Sequence, residues 1–172
     1  MKLLEYNLLL DKWFKVRNMQ SLDPKNQLLK TVEELGELIE AKNFLDVDLA
    51  MDAIGDIYVC LTGLQLQLKY DYFNDETMAY NNELDKVILQ VCNISQSLLK
   101  GKNCEPSIQL AFLYLEGYCN YLGLRLIDCI AIAWNEIKDR KGLVIEGSFV
   151  KYDDLSEQDQ AVIDLQQEMS NE

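Results

Sequence analysis

Apolar residues recur at helical spacing along almost the whole 172-residue chain, and only two prolines and eight glycines punctuate it. The strict apolar–polar alternation of half-buried strands is nearly absent. That pattern commits the chain to an all-α fold. Helices are expected over about 3–17, 24–44, 48–68, 82–99, 106–122 and 126–141. Ser21-Leu22-Asp23-Pro24 supplies an N-cap with proline at the first helical position, and Gly101 and Pro106 mark the break between the fourth and fifth helices. After Gly142, β-branched and aromatic residues around Glu146-Gly147 predict a short hairpin or an ordered extended arm. Ser156-Glu157-Gln158-Asp159 resembles a capping box, a start signal for one more helix.

The length favours one domain, taken as 1–152, followed by a tail over 153–172. Five cysteines without a CxxC pair, most of them inside apolar helical runs, read as small core hydrophobes of a reducing cytosol. No stretch approaches the roughly 18 apolar residues of a membrane span, and the first residues are too short an apolar run for a secretory signal. The expectation is a cytoplasmic protein with no membrane partner.

The chain contains no histidine. Ser-His-Asp and Cys-His nucleophile systems, HExxH zinc sites and Glu-x-x-His di-iron sites are excluded on residue type. Any metal must be held mainly by oxygen, which suits Mg²⁺, Mn²⁺ or Ca²⁺. A net charge of -13 also argues against binding a nucleic-acid polymer, which needs a basic stripe. Seven of those surplus charges belong to the tail over 153–172, which carries seven acids and no base.

The acids that matter lie elsewhere. Glu33-Glu34-Leu35-Gly36-Glu37 stands on the second helix and Asp52-Ala53-Ile54-Gly55-Asp56 on the third. Glu34 and Glu37 are spaced i,i+3 and Asp52 and Asp56 i,i+4, so each pair shares one side of its helix. Antiparallel helices joined by a short turn bring both pairs to one place. On the third helix the core stripe is Ala50, Ile54, Ile57, Leu61, Leu64 and Leu68; on the second it is Leu28, Val32, Leu35 and Ile39. Asp52 and Asp56 fall opposite the stripe of the third helix, and Glu37 opposite that of the second, on faces that continue as apolar residues. Such a face is expected to be covered by another helix or another subunit. Like charges there repel unless a cation neutralises them, and a multi-Mg²⁺ site is the simplest physical remedy. Gly36 and Gly55 each cost helix propensity, for which close approach of the two helices is the expected reason.

Glu34-x-x-Glu37, followed by Asp52-Ala-Ile-Gly-Asp56, resembles the ExxE and ExxD motifs of the all-α nucleoside triphosphate pyrophosphohydrolases, the MazG-like superfamily. The glutamate of ExxD is replaced by Ala53, and Asp52 stands one position earlier. A second stretch, Ala133-Trp-Asn135-Glu-Ile-Lys138-Asp-Arg140-Lys141-Gly with Phe149-Val-Lys151 after it, is similar to the C-terminal segment of short phage-type and phosphoribosyl-ATP-pyrophosphohydrolase-like members. The resemblance covers about 8–68 and 124–154. The part between, about 74–122, looks like an inserted helical hairpin.

The resemblance implies a MazG-like bundle, assembled as a homodimer or homotetramer, that hydrolyses a (deoxy)nucleoside triphosphate to monophosphate and pyrophosphate in nucleotide-pool control or housecleaning. If the gene is a phage's, the place is the host cytoplasm. Mg²⁺, with Mn²⁺ as a substitute, would be held by Glu34, Glu37, Asp52 and Asp56. Glu33 or Glu34 would accept the water proton, while Lys30, Asn135, Lys138, Arg140 and Lys141 would bind substrate. For Trp13, Tyr58 and Trp134, core packing is the expected role rather than base stacking. The alternatives are a catalytically impaired nucleotide- or metal-binding protein of the same fold and a helical interaction module.

Overall fold

The computed structural model describes residues 2–72 and 83–170, and they form an all-α assembly of seven helices with one two-stranded sheet. Helix α1 covers Leu3–Val16, α2 Pro24–Phe44 and α3 Val47–Leu68. Each start has a local cause. The Glu5 carboxylate accepts the Lys2 amide at the head of α1 (2.8 Å), Asp23 caps α2 by accepting the Lys25 amide (2.9 Å), and Asp46 caps α3 by accepting the Leu49 amide (3.0 Å). Only Leu45 and Asp46 connect α2 to α3, so the two helices run antiparallel. Leu45 makes that turn in the left-handed region, with φ of 55°.

Helix α3 is the axis of the fold. Its 13 buried residues between Ala50 and Gln65 face in every direction, so neighbours surround it. α2 and α6 (Leu126–Ile137) pack along it most extensively, and α1 and α5 (Glu105–Tyr121) fill the remaining sides. Tyr58 meets Phe112 of α5 edge-on, with ring centroids 4.9 Å apart, and donates its hydroxyl to Asn7 of α1 at 2.7 Å. Burying each of the fully enclosed Ile54, Ile57, Leu61 and Leu64 is worth about 1.5–3 kcal/mol.

Helix α4 (Leu84–Leu99) pairs with α5, and this hairpin leans on α2 and α3. It is the helical hairpin expected within 74–122; the stretch 74–82 lies outside the described residues. One chain therefore supplies, from its own helices, part of the cover expected from another helix or another subunit.

Three expectations are corrected. The buried face of α2 is Leu28, Thr31, Glu34, Leu35, Leu38 and Ala41; Val32 points outward and is 48% exposed. The stripe is rotated because α3 and the hairpin both press on α2, and Glu34 is carried inward with it. Gly36 makes no close helix contact, having nothing within 4 Å of where a Cβ would stand, whereas Gly55 is pressed against α6 and not α2. Finally, α6 stops at Ile137 rather than Lys141. There the Trp13 indole donates to the Ile137 carbonyl at 2.8 Å, which also accepts the Arg140 amide at 3.0 Å, and the Arg17 guanidinium donates to the Arg140 carbonyl at 2.8 Å, so side chains at the end of α1 hold the turn that ends α6.

The chain then turns into β1 (Gly142–Ile145) and β2 (Ser148–Lys151), antiparallel with Ile145 opposite Ser148. Glu146 and Gly147 both have positive φ, the signature of a tight two-residue hairpin turn. The tail begins with a cap in which Ser156 Oγ accepts the Asp159 amide, and α7 (Glu157–Ser170) follows as expected. Among the described residues no helix is long and apolar enough to cross a membrane. Cys60, Cys104, Cys119 and Cys129 are buried free thiols, as expected of core cysteines, and Cys92 is exposed.

Candidate active site

A cleft of about 550 Å³ opens where α1, α2, α3, the end of α6 and the hairpin meet. Its lining combines the charged Lys30, Glu33 and Glu34 of α2, Asp56 of α3, Arg140, Lys151 and Asp154 with the apolar and aromatic Trp13, Phe14, Met19 and Phe149. The hairpin is fixed as a wall by Asn26, whose side-chain amide donates to the Gly147 carbonyl at 2.9 Å. Arg17 ties the two walls together: its guanidinium lies 4.2 Å from the Trp13 ring centre and 5.9 Å from that of Phe149 while holding the Arg140 carbonyl.

Within the cleft, Glu34 is buried at 3% exposure, far below what a free carboxylate tolerates. Lys30, one helical turn earlier, meets it at 2.8 Å and Glu33 at 3.0 Å. Burial works against the Lys30 ammonium, but its hydrogen bonds to the two glutamates outweigh that and hold its pKa above the ordinary lysine value. Asp56 has the opposite fate. Burial first, then the charges of Glu34, Asp52 and Glu136, push it up to about 7, with only Arg140 pulling the other way. Burial and the charges of Glu34, Asp52 and Glu40 likewise raise Glu37, against Lys30. The carboxylates of α2 and α3 thus feel one another as expected, and one Asp52 oxygen is buried without a hydrogen-bond partner.

That orphaned oxygen, together with carboxylates held above their normal pKa by burial first and mutual repulsion second, fits a hard divalent cation with oxygen ligands. The side chains do not stand as a finished cage, because among the described residues no three acidic or sulfur ligands are gathered closely enough to hold an ion. Lys30 occupies the nearest approach to Glu34 instead.

The other expected substrate residues divide. Lys30 and Arg140 reach the cleft; Glu37 and Asp52 do not line it but act on it electrostatically. Lys138 donates to Asn135 at 3.1 Å on the exposed side of α6, and neither residue lines the cleft, nor does Lys141. Glu136 was not singled out from the sequence, although it follows buried Ala133 by three positions on the face of α6 that meets α3. It adds negative charge at Asp56 and lies 3.8 Å from Arg140. Trp13 and Tyr58 are buried and hydrogen-bonded, and Trp134 is partly buried against the core, in keeping with packing roles; Trp13 nevertheless contributes a cleft wall.

The fold is therefore an all-α bundle carrying a cleft lined by both charged and aromatic side chains. Comparison with protein-family models, curated proteins and solved structures found no match for this chain.

Proposed function

We propose that the chain is a MazG-like, Mg²⁺-dependent pyrophosphohydrolase of (deoxy)nucleoside triphosphates, acting in nucleotide-pool control. The observation that carries this reading is the cleft itself: Lys30, Glu33, Glu34, Asp56 and Arg140 line the same space as the aromatic Trp13, Phe14 and Phe149. A nucleotide combines the same two chemistries, a polyphosphate and a flat base, and the volume lies in the range of small-molecule sites.

Glu34 and Asp56, with Asp52 and Glu37 behind them, would hold the ion, which when bound supplies charge neutralisation and a more acidic water. The water oxygen adds to the α-phosphorus, and the bond to the α–β bridging oxygen breaks as pyrophosphate leaves. Glu33 or Glu34 takes the water proton on a carboxylate oxygen. Lys30 and Arg140 hold the phosphates, Arg140 being aimed by Arg17 through its backbone. The enclosed position of Ala53, with no exposure, favours a second reading in which nucleotide and metal bind without turnover. Exposed Leu29, Val32 and Phe44 support assembly as a homodimer or homotetramer. Sedimentation as a strict monomer removes that part.

A panel of canonical and damaged (d)NTPs assayed for pyrophosphate with Mg²⁺ and with Mn²⁺ tests the reaction. Glu37→Gln and Asp56→Asn should each lower turnover at least about a hundredfold without unfolding the protein. Full activity in either variant would mean that the site is misplaced, and binding without pyrophosphate release would favour the second reading.

A further inference from the structure

Lys30 is already engaged by carboxylates where a phosphate-binding residue would be left free. Its ammonium meets Glu34 at 2.8 Å and Glu33 at 3.0 Å within the cleft that it lines with Arg140. Ordinary helix-surface pairing explains this poorly, since an i,i+4 pair is favoured when the glutamate precedes the lysine, and here the lysine comes first. What does explain it is the burial of Glu34, whose side chain is only 5% exposed and needs a positive neighbour.

We infer that Lys30 is a resident counter-ion: it neutralises Glu34 while the site lacks a divalent cation, and cation binding at Glu34 releases its ammonium toward the substrate phosphates. The inference rests on the metal-dependent reading above and assigns Lys30 a positioning role beyond phosphate contact. Charge supports the exchange. Against Lys30, Arg140 and Lys151 stand Glu33, Glu34, Asp56 and Asp154 at the cleft, with Glu37, Asp52 and Glu136 in electrostatic range. The acidic excess still favours an added cation after Lys30 has moved. Half of the Lys30 side chain is exposed, at 54%, so its stem is free to swing without opening the core. Cation and polyphosphate binding then become linked, since the ion sets free the amine that meets the phosphates, and linkage acts equally in both directions.

The test measures Mn²⁺ affinity of the full chain without nucleotide at pH 8, from the electron paramagnetic resonance signal of free Mn²⁺. Lys30→Met should bind Mn²⁺ about tenfold more tightly than wild type, since a competing unit charge has gone. In the absence of cation the same variant should melt at a lower temperature, with Mn²⁺ restoring it, and Mn²⁺ should strengthen binding of inorganic tripolyphosphate several-fold less than it does in wild type. A merely structural lysine would lower stability and Mn²⁺ affinity together. Unchanged or weaker Mn²⁺ binding in a folded Lys30→Met overturns the inference while leaving the metal-dependent reading intact, and a wild-type chain that binds no Mn²⁺ overturns both. A measurement on wild type stands apart from folding of the variant: acetylation of Lys30, followed by peptide mass, should speed up several-fold when Mg²⁺ is added. An unchanged rate would also sink it.

Discussion

Gly55 lies directly beneath the Cys129 backbone, where a Cβ on residue 55 would come 2.3 Å from the Cys129 carbonyl oxygen and 3.0 Å from the Ala133 methyl. This contact sets the distance between α3 and α6, and through it the placement of Asp56 opposite Glu136 and Arg140. Gly55→Ala must push backbone from backbone, so it should destabilise the protein by about 1–3 kcal/mol. Gly36→Ala, in open space within a helix, should stabilise it by about 0.5–1 kcal/mol. Urea unfolding of the two variants, side by side, checks the opposite signs.

Leu45 carries a second local cost. It turns left-handed at the end of α2 while its side chain is 87% exposed, so it strains the backbone and buries little. Leu45→Gly should raise stability by about 1 kcal/mol, visible as a higher denaturation midpoint with an unchanged slope. A loss of stability would show that the leucine is covered in solution, as a subunit contact at this corner would require.

The raised pKa of Asp56 predicts an unusual pH dependence. A carboxyl that titrates near 7 when folded and near 3.8 when unfolded is protonated in the native state where the unfolded chain has already lost the proton. Between those values the folded form binds more protons, so this residue's contribution to stability is full below about pH 4, falls as pH rises, and is gone above about 7. Asp56→Asn should therefore be the more stable protein at pH 8 in the absence of divalent cation, and the gap should close toward pH 4. Thermal melts of both proteins across that range decide it, and a constant difference would refute the assigned environment.

Arg17 joins α1 to the segment that follows α6, stacking on Trp13 and donating to the Arg140 carbonyl. Arg17→Ala should cost about 1–3 kcal/mol, because it removes a cation–π contact and a charged hydrogen bond. If Arg140 binds phosphate, the same variant should raise KM for nucleotide more than it lowers kcat. Steady-state kinetics beside a chemical denaturation curve separate the two effects.

Much of this architecture was legible along the chain because its signals are local. Asp23 and Pro24 start α2, Asp46 starts α3, and the i,i+3 and i,i+4 acids fall on one side of their helices through backbone geometry alone. The absence of histidine likewise settles which side chains are left to hold an ion. Periodicity could not say which of two neighbouring residues faces inward once both sides of a helix are covered; that is why Thr31 and Glu34, rather than Val32, line the buried side of α2. Nor could it show that Trp13 would cap Ile137, 124 positions away, or that α6 rather than α2 would rest on Gly55. The sequence determined the helices and the chemistry they carry, whereas only tertiary packing decided that Glu34 would be buried against Lys30 and Asp56 would face Glu136. Those relationships depend on desolvation and on charges from separate helices, and neither exists until the helices meet.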